Sequence, residues 1–158
     1  MQRVPMTPRG HAALKAELKH IKEIVRHQIV KDIEEARAHG DISENSEFED
    51  AKHRQALNEG RIRELEAKLS ACEVIDVMRI PASERVIFGT TVDLIDLSND
   101  EEVTYQIVGT DEADVKDGKV SVTSPIGRAL VGREVGDEVT VRAPSGARKY
   151  VIEDVHYK

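Results

Sequence analysis

Tryptophan is absent, aromatic residues make up only 3% of the 158 positions, and there is one cysteine. So few large rings leave little to fill a single compact core, and the length allows one large domain or two small ones. The lone Cys72 excludes an internal disulfide and fits a reducing compartment. No apolar run is long enough to span a bilayer and no secretory leader is recognisable, which predicts a soluble, cytoplasmic protein without membrane contact. Positive charge is also in deficit: the net charge is −7. Up to Asp76 there are 13 basic and 15 acidic residues, after it 10 and 15. Non-specific nucleic-acid affinity comes from neutralising phosphates, so contact with RNA or DNA needs a local basic patch or a partner that already holds the polymer.

What is present is charge, 34% of the chain, laid over two helical patterns. Between Pro8 and Pro81 no proline interrupts them. Thr7-Pro8 reads as a hydroxyl N-cap with proline at the first helical position. Apolar residues then recur at Leu14, Leu18, Ile21, Val25, Ile29, Ile33 and Ala36, a helical spacing that stutters after Val25. Gly40 is the stop. The second pattern, Phe48, Ala51, Gln55, Asn58, Ile62, Leu65 and Leu69, is a heptad seam with two polar members, and Gly60 lies inside it. The seams fit each other antiparallel. Leu14 with Leu69, Leu18 with Leu65, Ile21 with Ile62, Val25 with Asn58 and Gln28 with Gln55 all have numbers adding to 83. Ile33 with Ala51 and Ala36 with Phe48 add to 84, so the register slips by one where the first seam stutters. This predicts an intramolecular coiled-coil hairpin with an arm of roughly 46 Å at 1.5 Å per residue and an exposed far end. A Gln28–Gln55 pair would fix the register, unless both point to solvent.

After Asp76 the period changes to 2. Arg85–Phe88, Thr91–Leu97, Val103–Val108, Lys119–Val122, Glu138–Val141 and Lys149–Ile152 read as strands. Ser124-Pro125 opens the one helix expected in this half, over Ser124–Val131. The expected fold is α+β: an antiparallel helical hairpin over 1–76 with its tip at 39–47, a linker over 77–83, and over 84–158 a small, mostly antiparallel sheet with one short helix.

The chemistry sits at the tip, His39-Gly40-Asp41-Ile42-Ser43-Glu44-Asn45-Ser46-Glu47. Asp41 and Glu44 are three residues apart before an apolar-periodic run. Two carboxylates in that pattern serve a metal or an attacking water, and they also make a capping box; the spacing alone allows both. Arg37 and Lys52 fall near one level of the hairpin, as a basic pair or as part of a solvated face. His20 and His27 are about 10.5 Å apart along a helix, too far to share an ion. His39 is placed to favour a helix C-terminus. The sequence shows no nucleophile–base constellation, closed metal cluster or phosphate-binding glycine loop, so no self-contained active site is expected.

The tip HGDISENSEFEDAKHR, with EGRIRELEAKL, VIFGTTV, TYQIVGTDEAD, KVSVTSPIGRALVG and GDEV, resembles the bacterial transcript cleavage factors of the GreA/GreB family over nearly the whole chain. The resemblance implies an N-terminal antiparallel coiled coil and a C-terminal domain related to FK506-binding proteins. It implies RNA polymerase as partner. The globular domain would dock at the mouth of the secondary channel, and the coiled coil would enter it. The acidic tip would then stimulate cleavage of the backtracked RNA 3′ end. Asp41 and Glu44 match the tip acids. Gly40, Ser43, Asn45 and Phe48 keep the motif around them, and Arg37 and Lys52 match basic positions that contact RNA. Ser124, Pro125 and Arg128 match the segment that docks on polymerase. Gly127 departs mildly from that segment, which bears on docking strength.

No cofactor of its own is implied, only the Mg²⁺ of the polymerase active centre. Mg²⁺ demands octahedral oxygen ligation, so two carboxylates cannot hold it unaided but can complete a sphere that another site supplies. On this reading Asp41 ligates the metal and Glu44 positions or deprotonates the water. The free protein is expected to be monomeric. Three rivals stand beside this. One is a paralogue of the same fold that inhibits polymerase. Another is an FK506-binding-type prolyl isomerase with a coiled-coil handle, disfavoured because Phe88, Tyr105, Tyr150 and Tyr157 are a thin aromatic lining. The last is a passive coiled-coil adaptor.

Overall fold

The computed structural model describes residues 3–40 and 46–158. The chain divides into two compact units: His11–Cys72, and Glu73–Lys158 together with the described residues up to Gly10.

The first unit is the helical hairpin. Its outgoing arm is α1 (Pro8–His20), a π-helical turn (Ile21–Val25) and α2 (Arg26–Ala38); the return arm is α3 (Ser46–Ala71). Thr7 Oγ1 accepts the Gly10 N–H at 3.1 Å, so the expected cap is formed. Ile29, Ile33, Ala36, Ala51, Ile62 and Leu65 are buried, with Val25 and Phe48 packed against the Ile29–Ile33–Ala51 cluster. The arms run antiparallel, tied by Arg61–Glu17, Arg26–Glu59 and Arg54–Asp32 ion pairs with N–O distances of 2.7, 2.8 and 3.0 Å.

The stutter in the first seam has a structural cause. A π-turn accommodates one extra residue, so positions beyond it on the outgoing arm gain one in number while keeping the same face. That accounts for the change of facing sum from 83 to 84. The register is not held by Gln28 and Gln55. Gln28 is exposed and donates to Asp32 of its own helix, and Gln55 accepts from Lys52 one turn earlier. The polar tie across the arms is Asn58, whose Nδ2 donates to the Ile21 carbonyl at 3.1 Å, inside the π-turn.

The second unit holds a five-stranded sheet in the order β5-β4-β3-β7-β6. The strands are β3 (Thr91–Asp96), β4 (Glu101–Val108), β5 (Lys119–Ser121), β6 (Glu138–Ala143) and β7 (Gly146–His156). It is antiparallel except for the β4–β5 pair, which is parallel. Alternate residues of β3 and β6 point inward, and Val92, Leu94, Val139 and Val141 join Val86, Ile107, Val120, Leu130, Tyr150 and Ile152 in the core. Helix α4 (Pro125–Leu130) closes it. The Arg85–Phe88 stretch forms an isolated bridge from Arg85 to Glu134 in place of a strand.

Two differences from the sequence reading concern boundaries. Val4–Met6, expected as a lead-in to the hairpin, is a strand, β1, paired with β2 (Cys72–Val74). Met6 is 2% exposed, and Glu112 accepts hydrogen bonds from the Thr7 N–H and hydroxyl and from the Gly109 N–H. The residues up to Gly10 therefore belong with the globular unit. The segment 77–83, expected as a linker, starts with a 3₁₀ turn (Val77–Arg79) whose Val77 is buried beneath Gly89.

Candidate functional site

The tip lies between α2 and α3. Asp41, Ser43, Glu44 and Asn45 fall outside the described residues, so the site is defined structurally by its flanks. Helix α2 ends with His39 as C-cap, followed by Gly40 at φ +124°, a conformation that favours glycine. Helix α3 begins at Ser46, with Glu47 and Glu49 in its first turn, where carboxylates complement the helix dipole. Phe48 is half-buried against the core between the arms and anchors that first turn.

Arg37 lies on the last turn of α2 with its guanidinium carbon 5.8 Å from the Phe48 ring centroid. Lys52 is one turn beyond Phe48 on α3 and donates to the neutral Gln55 at 3.1 Å. Among the described residues neither Arg37 nor Lys52 is ion-paired, and both are exposed. Arg54 is different. Its Nη1 meets Asp32 across the arms and its Nε meets Asp50 on its own helix, at 3.0 and 3.2 Å. The Arg54 hydrogen bond holds the Asp32 carboxyl below its ordinary range, with a second contribution from Gln28. These groups line a cavity of about 230 Å³ with Glu35, His39 and Glu47. Among the described residues the flank thus presents two exposed cations without carboxylate partners, Arg37 and Lys52, beside carboxylates that neutralise a third.

In the globular unit Ser124 N-caps α4. Its hydroxyl accepts the Gly127 N–H at 3.1 Å and donates to the Ser121 carbonyl at 2.6 Å, so this side chain is committed to the fold. Pro125 and Arg128 are exposed and one turn apart, on the same side of α4. Gly127 bears on the fold and not only on docking: a Cβ there would sit 2.2 Å from the Ser121 carbonyl oxygen. Sequence reading missed Asn58 and Glu112. Asn58 was visible as a polar member of an apolar seam; nothing local marks Glu112, whose partner Thr7 is 105 residues away.

Among the described residues no helix is long and apolar enough to cross a membrane. The N-terminal model of the transcription elongation factors matches residues 4–74, and the GreA/GreB C-terminal model matches 81–157. The transcription elongation factor GreA of Hyphomonas neptunium is 56% identical over 158 residues, covering 100% of both chains. That of Pseudomonas aeruginosa is 54% identical over 157 residues, covering 99% of each. Among solved structures, the GreA factor homolog 1 of Thermus thermophilus is 30% identical, with a TM-score of 0.43 over 98% of this chain and 99% of that one. Both halves match and the relatives are full-length, so the chain belongs to the GreA/GreB family of transcription elongation factors.

Proposed function

We propose that the hairpin enters the secondary channel of bacterial RNA polymerase and stimulates the polymerase's own hydrolysis of backtracked RNA 3′ ends, releasing arrested complexes. The observation that carries this is the full-length identity to GreA factors in a chain whose two hairpin arms are joined by the Asp41–Glu44 pair. Asp41 and Glu44 are two carboxylates, too few for six-coordinate Mg²⁺, so they act with a metal that the polymerase holds. That metal, when bound, neutralises phosphate charge and lowers the pKa of bound water. Asp41 supplies a ligand oxygen, and Glu44 orients the attacking water and accepts its proton. Arg37 and Lys52, exposed and without carboxylate partners among the described residues, meet the phosphates of the backtracked RNA. Pro125 and Arg128 belong to the face that docks on polymerase. The protein works as a monomer in the cytoplasm and has no active site of its own.

The test is RNA cleavage in a defined backtracked complex, with Asp41→Asn and Glu44→Gln beside wild type. Both variants keep side-chain size and one acceptor oxygen, so a capping role survives in them while the charge is lost. The proposal expects each to lose stimulation on the order of 10²-fold while the helical circular dichroism and polymerase binding stay as in wild type. If activity persists in both variants, the charged carboxylates are not required and the proposal fails.

A further inference from the structure

We propose that Asp93, Asp154 and His156 form a divalent transition-metal site on the outer face of the sheet, with a donor set matching zinc. The site begins with a β-bulge. Asp93 pairs with Asp154 and the next residue, Leu94, with Ile152, so Glu153 is the extra residue on β7. The parity of burial changes there: Tyr150 and Ile152 face the core before the bulge, Val155 after it. An uninterrupted β7 would turn residues 154 and 156 inward. The bulge turns both outward, onto the face that carries Asp93.

The ligand atoms are already gathered. His156 Nε2 is 2.8 Å from Asp93 Oδ2 and 3.6 Å from Asp154 Oδ2, and one atom from each of the three residues lies within 4.8 Å of the others. Ligands about 2.0–2.2 Å from a tetrahedral ion are roughly 3.3–3.6 Å apart, so only small side-chain shifts are needed to admit one. Each carboxylate has its other oxygen held. Asp93 Oδ1 accepts from the Thr104 hydroxyl at 2.9 Å, and Asp154 Oδ1 from the Val155 N–H at 2.9 Å. That outer support orients metal ligands in known sites. Nε2 carries at most one proton, yet two carboxylate oxygens converge on it. A dication satisfies both while taking the imidazole lone pair.

The surroundings are anionic. Asp93 and Asp154 line a cavity of about 450 Å³ together with Glu102 and Glu153, and Lys158 is the cation acting on Asp93 besides His156. Glu102 or water can supply the fourth position. A mixed imidazole–carboxylate set favours zinc and its neighbours over Mg²⁺, which prefers oxygen ligands alone. None of these residues is used by the tip chemistry.

Tag-free full-length protein titrated with ZnCl₂ by calorimetry tests this, with MgCl₂ as comparison. Asp154 is 58% exposed, so Asp154→Asn leaves the fold intact and decides the outcome; His156→Gln is the second variant. The site predicts zinc binding weakened about tenfold or more in Asp154→Asn and unchanged in Asp41→Ala/Glu44→Ala, with no Mg²⁺ heat. Absence of zinc binding, or binding that Asp154→Asn leaves in place, overturns it.

Discussion

At the residue scale, function and fold divide neighbouring side chains between them. Arg37, Lys52 and Arg54 are close in sequence to the tip, but Asp32 across the arms and Asp50 on its own helix bind Arg54. In α4 Ser124 and Gly127 build the helix, while Pro125 and Arg128 are exposed. Gly127→Ala should therefore lower the unfolding free energy by about 1–3 kcal/mol in denaturant, because backbone must move to admit the methyl group. Unaltered stability would mean that α4 can shift away from β5 without cost. The Ser124 cap was legible in the sequence, since Ser-Pro before a short apolar run has one common meaning. The clash at Gly127 was not, because it depends on how closely α4 folds back against the end of β5.

At the element scale, the hairpin was the most legible part, since both arms and the one-residue slip were present in the spacing of apolar residues. The mechanism of the slip was not: a stutter says that the face shifts, and only the backbone shows a π-turn with Asn58 bonded to its carbonyl. Asn58→Ala should cost about 1 kcal/mol and reduce hydrogen-exchange protection around Ile21–Val25. Gly60→Ala should act in the opposite direction. The nearest atom to the added Cβ is an Arg63 nitrogen at 3.9 Å, so the helix gains up to about 1 kcal/mol without a clash. The arms are also joined electrostatically. Arg61, Arg54 and Arg26 hold the carboxyls of Glu17, Asp32 and Glu59 below their ordinary values. A carboxylate with a lowered folded pKa stabilises fully above its unfolded value and loses that contribution as pH falls through the folded one. The helical signal should therefore weaken below about pH 4, and less so in Glu17→Gln/Asp32→Asn/Glu59→Gln. Equal acid sensitivity in both proteins would show that these pairs do not stabilise the hairpin.

At the scale of the whole molecule, the chain joins two compact units, and the sequence placed their boundary near Asp76 because the hydrophobic period changes from helical to alternating there. It could not place the residues up to Gly10, whose attachment to the globular unit depends on Glu112 and on β-pairing with residues far along the chain. The central claim is that recognition of polymerase and stimulation of cleavage reside in different parts, with the acids between α2 and α3 required only for the second. The measurement that tests it most directly compares wild type and Asp41→Ala/Glu44→Ala in one preparation of backtracked elongation complex, recording polymerase binding and RNA cleavage together. The account predicts equal binding, cleavage stimulated by wild type alone, and competition of wild type by the variant. Equal cleavage by both proteins, or loss of binding in the variant, would contradict it.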